Sequence, residues 1–149
     1  MNIGDLCRRQ IVTCTPEANL GEVARLMRSQ HVGTVLVCEP NRRPVGIVTD
    51  RDIVLEVVAA DMDAKTVNVG EVMSRNPVTA LEDDDVAWAL KVMRDCGIRR
   101  LPVVKASGEV AGIIALDDLL ASAATSLTDV VQAIGTGRVV EAERRRIPA

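Results

Sequence analysis

The amino-acid sequence is written twice. Displaced by 66 positions it aligns with itself without a gap, Asn2 to Val58 on Asn68 to Ala124. Asn2-Ile3-Gly4-Asp5-Leu6 falls on Asn68-Val69-Gly70-Glu71-Val72, Val12-Thr13 on Val78-Thr79, Gly46-Ile47 on Gly112-Ile113, and Asp52 on Asp118. A repeat of this size means two copies of one supersecondary unit, each needing its neighbour to bury its apolar face. It is also an internal control. Positions where both copies keep one kind of residue answer to the fold. Positions where they differ are not dictated by the fold alone.

A chain of 149 residues suits one compact domain or two small intimate ones. Its 48% apolar content is enough for a core and too much for disorder. No apolar run approaches the roughly 20 residues of a membrane span. Met1 to Gln10 is polar, without the apolar stretch of a secretion signal, so a cytoplasmic protein without a membrane partner is expected. A net charge of −3 and a pI of about 5.2 argue against a nucleic-acid partner. With no Phe, no Tyr and one Trp, the chain also lacks the stacking platforms that single strands require.

Each copy reads strand, helix, strand, strand, helix. Leu20, Val23, Ala24 and Met27 lie at i, i+3, i+4, i+7 and predict a helix from about Leu20 to Ser29; Val86, Ala89, Leu90 and Met93 repeat it. Thr34–Cys38 and Leu101–Val104 read as short strands, followed after turn-prone residues by Val45–Val48 and Ala111–Ile114. Second helices start near Asp50 and Leu116. The apolar strands predict a sheet buried on at least one side, with helices over it. This gives repeat 1 over 2–59, a polar linker over 60–67, repeat 2 over 68–124 and a tail over 125–149. In the tail, Leu127, Val130, Val131 and Ile134 predict a helix that covers an exposed edge or a dimer seam. Gly135 and Gly137 weaken it, Val139 and Val140 resume it, and Arg144-Arg145-Arg146 fall in its last turn, where they suit the macrodipole.

Cys7, Cys14, Cys38 and Cys96 show no CxxC spacing, and the repeat partners of the first three are Met73, Ala80 and Val104. These three read as small core residues. The one histidine, His31, leaves a zinc site short of ligands, so no metal site is expected. Trp88 stands where copy one has Glu22, off the apolar helix face, and is expected half exposed or at an interface.

At this point the chain resembles a known family. The carrying motifs are Val32-Gly33-Thr34-Val35-Leu36-Val37 and Gly46-Ile47-Val48-Thr49-Asp50-Arg51-Asp52-Ile53 in copy one. In copy two they are Gly97-Ile98-Arg99-Arg100-Leu101-Pro102-Val103-Val104 and Gly112-Ile113-Ile114-Ala115-Leu116-Asp117-Asp118-Leu119. Together with Val72-Met73-Ser74-Arg75-Asn76-Pro77-Val78-Thr79, they make residues 2–124 similar to a tandem of CBS domains, named for cystathionine β-synthase: a stand-alone Bateman module. The resemblance implies an α+β fold of two β-α-β-β-α repeats with pseudo-twofold symmetry, sheets packed together, helices outside, and two clefts. It also implies pairing into a disk-like homodimer and a regulatory rather than catalytic role. The implied ligand contains adenosine: AMP, ADP, ATP, S-adenosylmethionine or NAD. No cofactor is required.

Such a ligand asks for a carboxylate to accept from the ribose hydroxyls, an apolar slot with backbone groups for the base, and arginine or a helix start for phosphate. By the resemblance, Thr49 and Asp52 bind ribose, Asp118 is the counterpart of Asp52, and Arg99 and Arg100 face phosphate. Arg51, in the same helical turn as Asp52, is a further candidate. Val12 and Val78 begin the strands whose backbone meets the base in relatives, and Pro102 helps wall the slot. Adjacent arginines before a strand point apart, which favours Arg100 over Arg99 for a given cleft. His31 precedes the strand bordering the mirror cleft. A second account of Thr49 and Asp52 stands beside this one: their spacing is that of a capping box. Copy two has Ala115 in place of Thr49, so the reciprocal cap is expected to be lost there, and Asp52 is favoured over Asp118 for ribose.

Other readings remain open at this level. One is a structural or interaction homodimer without ligand; another is a thiol-based redox or metal sensor. A ligand sensor without an effector domain would signal to a partner protein. An enzyme finds no support: there is no Ser-His-Asp set and no phosphate loop of the GxxxxGK type.

Overall fold

Asn19 opens the first long helix by a complete capping box. Its side chain accepts the Glu22 N–H at 2.9 Å, and Glu22 accepts the Asn19 N–H at 3.3 Å. The helix, Leu20–Gln30, buries Leu20, Val23 and Met27 along the stripe its periodicity predicts. Asp85 caps the matching helix, Val86–Cys96, which buries Ala89 and Met93.

The computed structural model describes residues 1–145, with side chains through residue 136. In chain order the elements are α1 (Ile3–Leu6), β1 (Thr13–Cys14), α2 (Leu20–Gln30), β2 (Thr34–Cys38), β3 (Pro44–Thr49) and α3 (Asp50–Ile53), which a π-helical turn continues over Val54–Val58. There follow α4 (Val69–Val72), β4 (Ser74–Arg75), β5 (Ala80–Leu81), α5 (Val86–Cys96), β6 (Arg100–Val104), β7 (Val110–Ala115) and α6 (Leu116–Arg145). The tail is not a separate helix. It continues the second helix of copy two unbroken through Gly135. The side chains of Val139, Val140 and the Arg144–Arg146 run lie outside the described residues.

One sheet runs β1-β2-β3-β4 and the other β5-β6-β7. In both, the first pair is parallel and the next antiparallel, with Thr34 opposite Thr49 and Arg100 opposite Ala115. The continuous β-branched runs are buried: Val35, Leu36 and Val37 in β2, Leu101, Pro102 and Val103 in β6. Each such side chain contributes about 1.5–3 kcal/mol by leaving water. A core shared by the two sheets holds Leu36, Cys38 and Val110, with Ile11, Ile47 and Ile113 around it. Trp88 is half exposed, at 39%.

The copies exchange their first segments. Ser74 pairs with Ile47 of the first sheet, and its repeat partner Arg8 bridges Ile113 of the second. Val69 and Met73 sit in the core of the first lobe, Ile3 and Cys7 in that of the second. The exchange requires glycine at the crossing. A Cβ on Gly112 would stand 2.7 Å from the Arg8 carbonyl oxygen, and one on Gly46 would collide with the Met73 side chain. Among the described residues no helix is long and apolar enough to cross a membrane.

Candidate functional site

Where the sheets meet, a cleft of about 250 Å³ opens beside Asp118. Residues of both copies line it: Arg8, Val12, His31 and Thr34 from the first, Arg100, Asp117 and Asp118 from the second. Thr34 and Arg100 are repeat partners, so this pair stands beside the pseudo-twofold axis. The symmetry maps Val12, Gly33, Leu36, Asp117 and Asp118 onto Val78, Arg99, Pro102, Arg51 and Asp52. Of the residues singled out in the sequence, Val12, Asp118 and Arg100 line this cleft. Thr49, Asp52, Arg51, Arg99, Val78 and Pro102 do not line it and belong to the repeat-equivalent positions.

The two carboxylates differ in what they have left to offer. Asp52 closes the capping box: its Oδ2 accepts the Thr49 N–H at 2.8 Å and the Thr49 hydroxyl at 3.0 Å, while its own N–H donates to Thr49 Oγ1 at 3.3 Å. Among the described residues no donor reaches Asp52 Oδ1. Asp118 is engaged on both oxygens. Oδ2 accepts the Ala115 N–H at 3.1 Å, and Oδ1 accepts Arg8 Nε at 2.9 Å and Nη2 at 2.6 Å. The expected loss of the cap in copy two is thus half right. The hydroxyl arm is gone, but the carboxylate arm persists, because it needs only the N–H of residue 115. The capping role of Asp118, with its Arg8 ion pair, accounts for its presence without a ligand.

Charge separates the clefts too. The Asp118 cleft carries Arg8 and Arg100 against Asp117 and Asp118. The repeat-equivalent positions bring Arg51, Arg99 and Arg100 together with Asp52. Among the described residues no carboxylate lies within ion-pair reach of those three arginines. Such a surplus suits an anion such as phosphate.

A backbone group distinguishes them further. In copy one the Leu36 N–H donates to the Val12 carbonyl at 3.0 Å, which starts the parallel ladder at Thr13. In copy two the donor position is Pro102, which has no N–H. That ladder starts one residue later in the repeat frame, at Ala80, and no backbone donor reaches the Val78 carbonyl among the described residues. Val78 is 43% exposed.

Sequence reasoning missed Arg8, whose signal was the mismatch with Ser74, and Thr34, which the weighing of its partner Arg100 passed over. The Thr34 hydroxyl is buried without a partner, a cost that a ligand in the cleft would relieve. His31 lies on the cleft wall in a left-handed conformation, φ 54°, where copy two uses Gly97.

Cys7 and Cys38 are buried and Cys14 half-buried, and among the described residues no cluster of three metal-ligating side chains occurs. Burial, and then the neighbouring Cys38, push the Cys14 thiol up to about 11. Burial also raises Cys38 and Cys7. A raised thiol adds stability while it stays protonated. That contribution is intact below the ordinary value of 9.0 and is lost as pH rises toward about 11. With iodoacetamide at mildly alkaline pH, exposed Cys96 is alkylated first and Cys14 and Cys38 last, as followed by intact mass and peptide mapping. Equal rates would contradict this assignment.

Comparison with known proteins agrees with this architecture. The CBS domain family matches residues 3–59 and 69–125. The CBS domain-containing protein YhcV of Bacillus subtilis is 36% identical over 140 residues, covering 87% of this chain and 94% of YhcV. An uncharacterized protein of Methanopyrus kandleri is 36% identical over 120 residues, 80% of this chain, which spans 61% of that protein. Among solved structures, a CBS domain protein from Pyrobaculum aerophilum complexed with AMP superposes with a TM-score of 0.72 at 30% identity, over 80% of this chain and 90% of that one. The chain belongs to the CBS domain family, of which it carries two copies in tandem.

Proposed function

We propose that the chain is a regulatory module that binds an adenosine-containing ligand in the Asp52 cleft and signals its presence to a partner protein. The observation that carries this is the division of labour on Asp52. Oδ2 is held by the cap, which fixes the carboxylate, while Oδ1 is left to accept from a ribose. Arg51, Arg99 and Arg100 supply the charge for a phosphate, and the Val78 carbonyl supplies an acceptor for an exocyclic amine of the base. The likeness to the Pyrobaculum aerophilum protein complexed with AMP adds to it. Among adenosyl ligands the three arginines favour those with a phosphate, AMP, ADP, ATP or NAD, over S-adenosylmethionine.

Ligand bridging the lobes shifts the angle between them, and a partner reads that angle. The module works as a homodimer and as a cytoplasmic regulator rather than a catalyst. Titration calorimetry with AMP, ATP, NAD and S-adenosylmethionine tests the reading. One site per chain, filled by a phosphate-bearing member, is expected. No heat from any of the four would overturn it in favour of a ligand-free interaction protein.

A further inference from the structure

The last helix leaves its lobe. Leu119 is the last residue of α6 in the core of the second lobe, and from Ala123 to Thr136 every residue is exposed. Leu116, Leu120, Ala123, Leu127, Val130 and Ile134 recur at spacings of four and three in strict alternation. Leu116, Ala123 and Val130 thus repeat every seven residues, as do Leu120, Leu127 and Ile134, which is the heptad spacing of a coiled-coil seam. The five larger members are 38–69% exposed. Ser122, Thr125, Asp129 and Gln132 fall on the opposite side of the helix.

We propose that this seam is where a second copy of the chain docks, its α6 against ours. This rests on the pairing of copies proposed above and names the surface that does it. A partner helix with the same seven-residue repeat meets the seam turn for turn, and the second copy supplies one. Between Leu119 and Thr136 the only charge is Asp129, on the far face, so two copies meet without repulsion between like charges. Packing the seams removes roughly 1,000 Å² from water, about what a specific interface needs. The free part of α6 needs such a partner. From Ala123 to Thr136 it has no tertiary support among the described residues, an isolated helix of this length is marginal in water, and Gly135 weakens it further.

Sedimentation velocity on the full chain decides, with three variants: Leu127→Asp with Ile134→Asp, the milder Leu127→Ala with Ile134→Ala, and Thr125→Asp with Gln132→Glu on the far face. The wild type and the far-face variant are expected to be dimers. The aspartate pair is expected to be monomeric with less helix by far-UV circular dichroism, and the alanine pair to self-associate about 100-fold more weakly. The alanine pair carries the test should the aspartate pair misfold. A dimer that persists through both seam variants would overturn the α6 seam and leave the pairing itself standing. A monomeric wild type would overturn both.

Discussion

Replacing Asp52 with alanine lowers the affinity for the bound adenosyl ligand by about 100-fold or more, whereas Asp118→Ala changes it by less than about threefold. The difference follows from what each carboxylate still has free. A carboxylate that accepts from both ribose hydroxyls makes two charge-assisted hydrogen bonds, each worth about 1.5–3 kcal/mol. Asp52 has Oδ1 open for that purpose. On Asp118 the same oxygen already accepts two donors from Arg8, so a ribose there must first displace an ion pair. Asp52→Ala also removes both arms of the capping box, at a cost of about 1 kcal/mol of stability. Ligand affinity and unfolding must therefore be measured on the same preparation; a 100-fold loss cannot come from the cap. Pro102→Leu gives an independent reading of the same cleft. Leucine restores the N–H that copy one has at Leu36. That N–H takes up the Val78 carbonyl and weakens binding by roughly five- to tenfold, one ordinary hydrogen bond. Calorimetry in which Asp118→Ala is the more damaging change would reverse the assignment of the two clefts.

Gly112→Ala destabilises the chain by about 3 kcal/mol, and Gly46→Ala by about half of that, in urea unfolding. Both glycines stand where an exchanged segment crosses a sheet, but what they face differs. The added Cβ at Gly112 meets a backbone oxygen of Arg8 at 2.7 Å and Cys7 Sγ at 2.8 Å. To make room the whole segment must lift. It then stretches the paired bonds between Arg8 and Ile113, 2.8 and 3.0 Å long, and draws Ile3 and Cys7 out of the core of the second lobe. At Gly46 the near atoms are Met73 Sδ and Cγ, which a change of rotamer can move, and Met73 Cβ at 3.1 Å, which needs only a small backbone shift. Equal losses at the two positions would mean that the crossing is looser than these distances imply.

The long helices, the four central strands and the starts of α3 and α6 were legible because each has a local cause: an apolar period, an N-cap, a β-branched run. Thr34–Cys38 and the helix starts at Asp50 and Leu116 stand where the sequence places them. The exchange of first segments was not legible, for a reason of symmetry. Ile3 and Val69 carry the same pattern, so either fits either lobe, and a repeat cannot tell which copy an element packs in. Nor were α1 and α4, single turns with no period to detect. The continuous α6 was missed because Gly135 reads as a weakness, and local propensity says nothing of what lies beyond the helix. Of the site, the two carboxylates, the arginines and His31 came from the repeat and the family resemblance. Arg8 did not, since its partner Asp118 is 110 residues away and no local signal joins them.

The exchanged segments also set an order of events on the ribosome. Ile3 and Cys7 are made before the groove they fill, which is built from Ala80, Leu101, Val103 and Ile114. The first lobe, in turn, lacks Val69 and Met73 until the second copy has begun. Ile3 and Cys7 thus wait, unpaired, until the second copy is almost complete, and neither repeat cut out at its sequence boundary carries its own first element. The natural unit to express, truncate or circularly permute is the pair.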